Sequence, residues 1–278
     1  MEARADQVAD DLRDLIRGEV LADDVSRALY ATDASIFSVR PLVVAAPRDV
    51  EELAALVKYT KEENIALQAR GAGTGLAGES LGAGIAVDLT RHFRGITSLA
   101  SDRVRVQCGV RWAVLQDALA VHGRSFGPDP LSGDACTIGG MIATDAAGPR
   151  SLRYGATGDH ALRLTMVLAD GSIVEVGRET VRGHGPLTFL AELSATLREA
   201  APDILREQPS DLRRPGGYHL RGVVHGDIVD VPRLIAGSEG TLAIVAEAVL
   251  GTSPIPPHRG LLLAAFDSVE AALDSALA

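Results

Sequence analysis

Residues 70–80 read R-G-A-G-T-G-L-A-G-E-S, and four of these eleven residues are glycine. Because glycine has no Cβ, a loop this rich in glycine can adopt positive φ angles and can turn successive N–H groups toward one side. Such a loop is suited to bind an anion, and a phosphate or pyrophosphate is the expected ligand. The stretch therefore predicts a binding loop for a phosphate-bearing molecule.

The same loop also satisfies the pattern G-x-G-x-x-G with Gly73, Gly75 and Gly78, which is typical of dinucleotide-binding Rossmann folds. That fold requires a helix directly after the glycines and an acidic residue about 20 positions further on. Here two more glycines follow, and then the strand-like run I-A-V-D-L at residues 85–89. Because no room is left for a helix, the sequence argues against a Rossmann fold and predicts a loop between two strands.

The composition is that of a globular protein, with 46% apolar and 23% charged residues over 278 positions. A net charge of −10 and an aromatic content of 4% argue against a nucleic-acid-binding surface. The two cysteines, Cys108 and Cys136, lie far apart, as is typical of a reducing cytosol. The sequence shows neither a signal peptide nor a long apolar run. We therefore expect a cytoplasmic protein with no integral membrane segment and no nucleic acid partner.

The segment before the glycine loop predicts a βαβ unit. A proline-bounded strand is expected at residues 41–47, a helix begins at Asp49, and a second strand follows at 65–69. Such a connection is right-handed in most proteins, so the glycine loop is expected at the carboxyl end of the second strand, where α/β folds place ligands. Residues 5–30 are predicted to form an amphipathic helix.

The later part of the chain predicts further strands and helices. In chain order these are a strand at 85–89, a strand at 103–107, a helix at 110–121, a β-hairpin between 162 and 176, a helix at 187–200, a long loop at 207–227, a strand at 242–250, a boundary at 254–257, a strand at 260–266 and a helix at 269–277.

A second glycine-bearing segment, residues 126–148, contains G-P-D-P, C-T-I-G-G and D-A-A-G. The prolines favour an extended backbone, and Gly139 and Gly140 would let a flat or anionic partner approach closely. Clusters of proline and glycine also form ordinary turns, so residues 126–133 alone leave both interpretations open. Taken with residues 70–80, a second glycine-bearing loop favours a large ligand held between the two loops.

Four motifs in this order carry a resemblance: R-G-A-G-T-G-L-A-G at 70–78, G-P-D-P with C-T-I-G-G at 127–140, G-G-Y at 216–218 and G-S-E-G-T-L at 237–242. Over roughly residues 38–256 the chain resembles the FAD-binding (PCMH-type) domain of the flavin-linked 2-hydroxyacid dehydrogenases, a group that contains the glycolate oxidase flavin subunit, D-lactate dehydrogenases and D-2-hydroxyglutarate dehydrogenase. The resemblance implies an α+β fold of two subdomains with FAD between them. An N-terminal helical arm (1–37) would precede this domain, and the beginning of a C-terminal cap domain (257–278) would follow it.

The resemblance also assigns cofactor contacts residue by residue. The contacts to the FAD pyrophosphate would come from Arg70, Gly71, Ala72, Gly73, Thr74, Gly75 and Leu76. The contacts to the ribityl chain, pyrophosphate and flavin edge would come from Pro128, Asp129, Cys136, Thr137, Gly139, Gly140, Ile142 and Ala143. The adenosine half would be contacted, or the site closed, by Glu239, Gly240 and Ile244. Thr74 stands where covalent flavoproteins of the wider superfamily carry the linking histidine, so the FAD is expected to be non-covalent. The resemblance assigns no catalytic residue and no metal ligand.

The implied activity is the oxidation of a 2-hydroxy acid of the D-lactate, glycolate or D-2-hydroxyglutarate type by hydride transfer to flavin N5. An iron–sulfur protein or a quinone-linked acceptor would take the electrons, with any iron–sulfur cluster on a partner or on a domain outside this chain, and that partner would bring the protein to the membrane periphery. Two alternatives stay open: a flavin oxidase of alcohols or lactones, and a non-catalytic flavoprotein module whose catalytic part lies on another chain. Because the family's cap and histidine-containing segment follow the position of Ala278, this chain alone is expected to be incomplete for catalysis.

Several single residues carry their own expectations. Asp145 stands where the family often has asparagine, which places a carboxylate beside a dianionic cofactor. Cys136 is expected to be a small buried thiol. His219 is assigned to a solvated loop, since its spacing from other ligand-type residues matches no metal site. For Glu239 two roles stay open, accepting ribose hydroxyls, which is favoured, or capping backbone donors.

Overall fold

The computed structural model describes residues 2–181, 187–208, 217–258 and 260–277. The helices are α1 (Glu2–Leu15), α2 (Asp24–Leu29), α3 (Val50–Glu62), α4 (Trp112–Ala120), α5 (Ile138–Ala143), α6 (Ser151–Tyr154), α7 (Thr157–His160), α8 (Phe189–Glu199), α9 (Ala201–Glu207), α10 (Val231–Ile235) and α11 (Val269–Leu277). The strands are β1 (Glu19–Leu21), β2 (Val43–Ala46), β3 (Leu67–Arg70), β4 (Ile85–Asp88), β5 (Ile96–Leu99), β6 (Arg103–Gln107), β7 (Arg124–Ser125), β8 (Ala161–Val167), β9 (Ile173–Val176), β10 (Arg178–Thr180), β11 (Val224–His225), β12 (Ile228–Asp230), β13 (Ile244–Gly251) and β14 (Ser253–Pro254).

A four-stranded sheet carries the glycine loop. Its strand order is β1-β2-β4-β3, in which β1 runs antiparallel to β2 and the other three strands are parallel. The expected βαβ unit is β2-α3-β3, and β4 lies between its two strands. Residues 71–84 join β3 to β4 without forming a helix. The prediction of a strand-to-strand loop is therefore confirmed, and the loop begins at the carboxyl end of β3.

The predicted helix at residues 5–30 is wrong, because the chain leaves α1 at Leu15 and forms β1 before α2. Gly18 allows this change, since a Cβ atom added there would lie 2.0 Å from the carbonyl oxygen of Ala46 in β2. Residues 19–21 therefore pair with β2 as a strand and do not continue the helix that their sequence pattern predicts. The apolar face of α1, which includes Val8 and Leu12, packs into the core of the four-stranded sheet.

A buried carboxylate fixes this N-terminal segment to α3. Glu52 is only 7% exposed, and it accepts hydrogen bonds from the backbone N–H groups of Arg17, Gly18 and Arg48 at 2.9 to 3.2 Å and from Nε of Arg17 at 2.9 Å. Burial opposes ionisation, but these donors outweigh it and hold the pKa of Glu52 below its usual value. The ionised Glu52 therefore stabilises the turn between α1 and β1.

The second sheet is antiparallel, with the strand order β5-β6-β13-β8-β9. Its β8-β9 hairpin confirms the predicted turn, where Gly171 has a φ of +79°. The side chains of β13 point into two different cores. Ala248 and Leu250 pack in the core of this sheet, whereas Ile244 and Ala246 pack in the core of the four-stranded sheet. The strand β13 is therefore a wall between the two hydrophobic cores.

Three other expectations need correction. Gly139 and Gly140 lie in the first turn of α5 and not in a loop. Residues 260–266 form no strand, and Leu261 to Leu263 are at least 90% exposed, because no neighbouring strand in the described part of the chain pairs with them. The predicted loop at 207–227 includes 209–216, which lie outside the described residues, and its later part contains β11.

Every helix within the described ranges is too short or too polar to cross a membrane.

We expect Glu52→Gln to lower the free energy of unfolding by about 2 kcal/mol at pH 7, since an amide cannot accept all of the hydrogen bonds made by the carboxylate. The lowered pKa of Glu52 means that its contribution is present above the unfolded-state value of about 4.3 and is lost as the pH falls through the folded-state value. The difference in the free energy of unfolding between the variant and the wild type should therefore become smaller below about pH 4. Urea unfolding at several pH values measures it.

The matched control is Glu51→Gln, which changes an exposed carboxylate in the same helical turn and should shift the free energy by less than about 0.5 kcal/mol. Equal effects of the two substitutions would show that the Glu52 hydrogen bonds do not stabilise the fold.

Candidate functional site

One continuous cleft runs between the glycine loop on one side and α5 with residues 237–240 on the other. It consists of three adjoining cavities of about 70, 150 and 780 Å³. Gly71, Thr137 and Gly140 line both the first and the second cavity, and Gly73 and Thr74 line both the second and the third. The two glycine-bearing motifs thus form the walls of one elongated site.

Arg70 anchors the glycine loop from inside the protein. Its side chain is buried, and its guanidinium donates to the carbonyl oxygen of Thr32 at 2.8 Å and to Oγ of Ser80 at 3.4 Å. The guanidinium carbon also lies 5.7 Å from the ring centre of Tyr30. On the loop itself, the carbonyl oxygen of Gly73 accepts a hydrogen bond from the N–H of Ala34 at 2.9 Å. Residues 30–34 therefore hold both ends of the loop in place.

An ionised carboxylate lies behind this anchor. Asp33 accepts a hydrogen bond from Oγ of Ser80 at 2.9 Å and another from the N–H of Ser35 at 2.8 Å. Burial opposes its ionisation, but the hydrogen bonds of Ser35 and Ser80 and the charge of Arg70 lower its pKa overall.

Two glycines of the loop cannot carry a side chain without a rearrangement. Gly73 has a φ of +65°, and a Cβ atom added there would lie 2.4 Å from Nη2 of Arg70. A Cβ atom at Gly71 would lie 2.6 Å from Oγ1 of Thr137, across the cleft. The space at these positions therefore exists only because the residues are glycines.

The glycine loop already contacts one anion, the carboxylate of Glu79. The N–H of Ala77 donates to Oε2 of Glu79 at 3.1 Å, and a Cβ atom at Gly75 would lie 1.6 Å from Oε1. The side-chain amide of Gln68 fixes this segment by donating to the carbonyl oxygen of Glu79 at 2.5 Å. The carboxylate of Glu79 thus lies against the loop and accepts from one of its N–H groups.

The opposite wall is α5, whose start is fixed by backbone contacts. Oγ1 of Thr137 caps the helix by accepting from the N–H of Gly140 at 3.3 Å. The N–H of Gly139 donates to the carbonyl oxygen of Cys108 at 2.7 Å, and a Cβ atom at Gly139 would lie 2.8 Å from Cβ of Cys108. Because both glycine N–H groups are already bonded within the protein, these glycines serve close packing at the cleft.

The end of α5 is capped by residues 237–240. The N–H of Gly237 donates to the carbonyl oxygen of Ile142 at 3.0 Å, and the N–H of Glu239 donates to that of Ala143 at 2.9 Å. Glu239 adopts a φ of +54°, and its exposed side chain lines the second cavity. Its backbone thus caps the helix while its carboxylate lies at the cleft.

All but three of the predicted site residues line the cleft. Those that do are Arg70, Gly71, Ala72, Gly73, Thr74, Gly75, Leu76, Cys136, Thr137, Gly139, Gly140, Ala143, Glu239, Gly240 and Ile244. The other three make structural contacts. The carbonyl oxygen of Pro128 accepts from Nε1 of Trp112 at 2.7 Å, Asp129 pairs with Arg150 at 2.6 Å, and Ile142 is fully buried in the core.

Cys136 is buried, and burial raises the pKa of its thiol. The thiol therefore stays protonated near neutral pH, as expected for a small packing residue in the wall of the cleft.

Asp145 and His219 form a buried pair that the sequence did not predict. Asp145 is 6% exposed and has a φ of +48°. Its Oδ1 accepts from the N–H of Gly158 at 2.7 Å, and its Oδ2 lies 3.4 Å from Nδ1 of His219. His219 is 9% exposed, so its assignment to a solvated loop is wrong. The aspartate at a position where asparagine is usual was the one sequence signal for this pair.

Residues 41–177 match the sequence profile of an FAD binding domain. The D-2-hydroxyglutarate dehydrogenase of Haemophilus influenzae is 34% identical over 93% of this chain and 27% of its own length. The glycolate oxidase subunit GlcD of Escherichia coli is 31% identical over 94% of this chain and 45% of its own length. The chain thus spans less than half the length of these relatives.

A solved structure of alkyldihydroxyacetonephosphate synthase matches 86% of this chain and 38% of its own chain, with a TM-score of 0.63 and 20% sequence identity. This match shows a shared fold. The predicted α+β fold and the resemblance to the flavin-linked 2-hydroxyacid dehydrogenases are both confirmed.

Proposed function

We propose that this chain, which matches an FAD binding domain at residues 41–177 and is similar to flavin-linked 2-hydroxyacid dehydrogenases, is the cofactor-binding portion of an oxidoreductase acting on a small 2-hydroxy acid. The observation that carries the proposal is the cleft, in which two glycine-bearing motifs distant in sequence line one site. The relatives are named for D-2-hydroxyglutarate, glycolate and D-lactate, and these names support a substrate of the same class.

The residues present fit FAD. The loop from Gly71 to Gly75 offers an anion cradle that a Cβ atom would fill, and it would hold the pyrophosphate after the carboxylate of Glu79 moves aside, since two anions repel each other. Arg70 would supply a fixed positive charge behind that cradle. The proposed contacts of the ribityl chain are Cys136, Thr137, Gly139, Gly140 and Ala143, and those of the adenosine half are Glu239, Gly240 and Ile244.

Pro128, Asp129 and Ile142 would act differently from the other predicted contacts. Their observed hydrogen bond, ion pair and core packing support a role in holding the walls of the cleft. At the widest cavity, Leu76 and Leu131 are 78% and 97% exposed. These leucines suit contact with a flat apolar surface and would exclude water from it.

Bound FAD would supply a two-electron acceptor, while this chain would bind and orient it. Oxidation of a hydroxy acid also needs a base within hydrogen-bonding distance of the hydroxyl group. The described residues that line the three cavities include two carboxylates, Glu79 and Glu239, and no histidine. Glu79 lies against the glycine loop and Glu239 is assigned to the adenosine half, so we propose that the base comes from a part of the protein outside this chain.

The remaining features of the proposal concern the surroundings of the domain. We propose a cytoplasmic protein whose electrons pass to an iron–sulfur protein or a quinone-linked acceptor, with any cluster on a partner or another domain. We also propose an FAD-binding domain at residues 38–256 and the start of a cap domain at 257–278. Because α1 packs into the core of the four-stranded sheet, residues 1–37 are better described as part of the first subdomain than as an arm.

We expect the FAD to be non-covalent, because Thr74 has no side-chain nitrogen that could be linked to the flavin. Acid precipitation of the purified yellow protein should release the colour into the supernatant. Flavin that stays with the pellet after washing in denaturant would contradict the assignment.

We expect Gly73→Ala to weaken FAD binding by about tenfold or more, since the new methyl group displaces the guanidinium of Arg70 beneath the cradle. Gly123→Ala is the matched control: its φ is +66° against +65° at Gly73, and a Cβ atom there would contact nothing within 4 Å. Both substitutions should cost about 1 to 2 kcal/mol in stability through backbone strain, but only the first should change affinity.

Flavin fluorescence quenching measures the affinity, and circular dichroism with thermal unfolding compares the folds. Equal losses of affinity in the two variants would show that the loss results from lower stability of the fold and not from the changed geometry of the glycine loop.

The activity is tested with the protein as its own cells make it, loaded with FAD. This protein is mixed anaerobically with D-lactate, glycolate and D-2-hydroxyglutarate. At least one acid should bleach the flavin absorbance near about 450 nm, whereas the 278-residue chain alone should stay oxidised. If dithionite bleaches the flavin and none of the acids does, the proposed substrate class is wrong. Bleaching of the short chain would instead place the base within it.

A further inference from the structure

A fourth cavity of about 700 Å³ adjoins the cleft and shares Arg70, Gly71, Ala72 and Thr137 with it. Its lining contains Arg91, Arg94 and Arg111 together with Arg70, so we call it the basic cavity. These arginines stand out in a chain with a formal net charge of −10. A local excess of positive charge on an acidic protein attracts anions to that place.

The one carboxylate in the lining, Asp88, is fully engaged. Its Oδ1 accepts from the N–H and Oγ1 of Thr90 at 2.7 and 2.6 Å, and its Oδ2 accepts from the hydroxyl of Tyr30 at 2.5 Å and from Nε of Arg91 at 3.2 Å. Burial and the charge of Asp88 raise the pKa of Tyr30, so this hydroxyl remains a donor. Asp88 thus balances the charge of Arg91.

The charges of Arg94 and Arg111 are not balanced in this way. Nε of Arg94 donates to the carbonyl oxygen of Thr90 at 2.5 Å, and Nη1 of Arg111 donates to that of Asp134 at 3.4 Å. Both acceptors are neutral, and neither arginine forms an ion pair with any residue in the described ranges. A guanidinium has five N–H donors, so each of these side chains retains donors that can bind anionic oxygens.

Apolar side chains complete the lining. Leu29 and Val114 are 70% and 42% exposed, and both line the basic cavity. A ligand with a carbon skeleton between or beside its anionic groups would cover these side chains and gain from their burial. The lining therefore suits an organic anion better than a simple inorganic ion.

We propose that the basic cavity is a binding site for a small organic anion that carries a phosphate or two carboxylates, held by Arg94 and Arg111. Arg94 and Arg111 line none of the three cavities of the cleft and are not among the proposed FAD contacts, although the two sites share Arg70, Gly71, Ala72 and Thr137 in their walls. The inference therefore does not depend on the proposed function. The shared wall at Gly71 and Thr137 places the bound anion next to the cleft.

The test is calorimetric titration of the FAD-saturated chain with inorganic phosphate and with succinate at constant ionic strength. We expect saturable binding of at least one anion. The anion that binds more tightly identifies the anionic group of the natural ligand, a phosphate or a pair of carboxylates. The double substitution Arg94→Gln/Arg111→Gln should weaken the binding of this anion by about a hundredfold, or about tenfold for each lost charge-assisted interaction.

The matched control is Arg103→Gln/Arg206→Gln, which removes the same charge from two exposed side chains outside the basic cavity and should change affinity by less than about twofold. Arg94 and Arg111 are also exposed, so the test variant should unfold at the wild-type temperature. If it does not, Arg111→Gln alone decides the outcome, with an expected loss of about tenfold.

Three results would overturn the proposal. The first is the absence of saturable binding of either anion, and the second is an equal loss of affinity in the test and control variants. The third is a competition in which the apparent Kd of FAD rises in proportion to the anion concentration without reaching a plateau, which would assign the basic cavity to the cofactor itself. An unchanged or saturating Kd of FAD supports two separate sites.

Discussion

Three backbones meet at the base of the cleft, and the rest of the site depends on their close approach. The N–H of Gly139 donates to the carbonyl oxygen of Cys108 at 2.7 Å, and the N–H of Cys108 donates to that of Ala246 at 2.9 Å. These bonds connect α5 to β13, the strand that separates the two cores. Because the first contact leaves no space for a Cβ atom at Gly139, one glycine sets the position of the helix and of the wall it forms.

The sequence predicted those parts of the fold whose signals are local. The run after Gly78 contains two further glycines and then a strand pattern, and this was sufficient to exclude a helix after the loop. The helix α5 was missed because Gly139 and Gly140 have low helix propensity, whereas the actual helix is held by the Thr137 cap and by the bond to Cys108. Tertiary contacts of this kind cannot be read from a hydrophobic pattern.

In the candidate site, too, the sequence predicted what local motifs determine and missed what tertiary contacts determine. Most of the residues that the motif resemblance named line the cleft, since the motifs are continuous in sequence and contribute backbone to the walls. The resemblance did not predict that Glu79 occupies the loop, or that His219 is buried beside Asp145. These contacts depend on side-chain orientation and on chain segments brought together only by folding. The basic cavity was missed for the same reason, because its arginines come from separate elements.

Asp145 and Glu239 adopt left-handed backbone angles, with φ values of +48° and +54°, although neither is glycine. Glycine would adopt these angles with less strain, by about 1 kcal/mol at each position. Both residues flank α5, but only the carboxylate of Glu239 is exposed at the cleft. That of Asp145 is buried, where it accepts from the N–H of Gly158 and lies beside His219. A mutational screen that ranked variants by heat resistance alone would therefore favour glycine at Glu239 and discard a charge that lines the cleft, but it would retain Asp145, whose loss leaves the N–H of Gly158 without its acceptor.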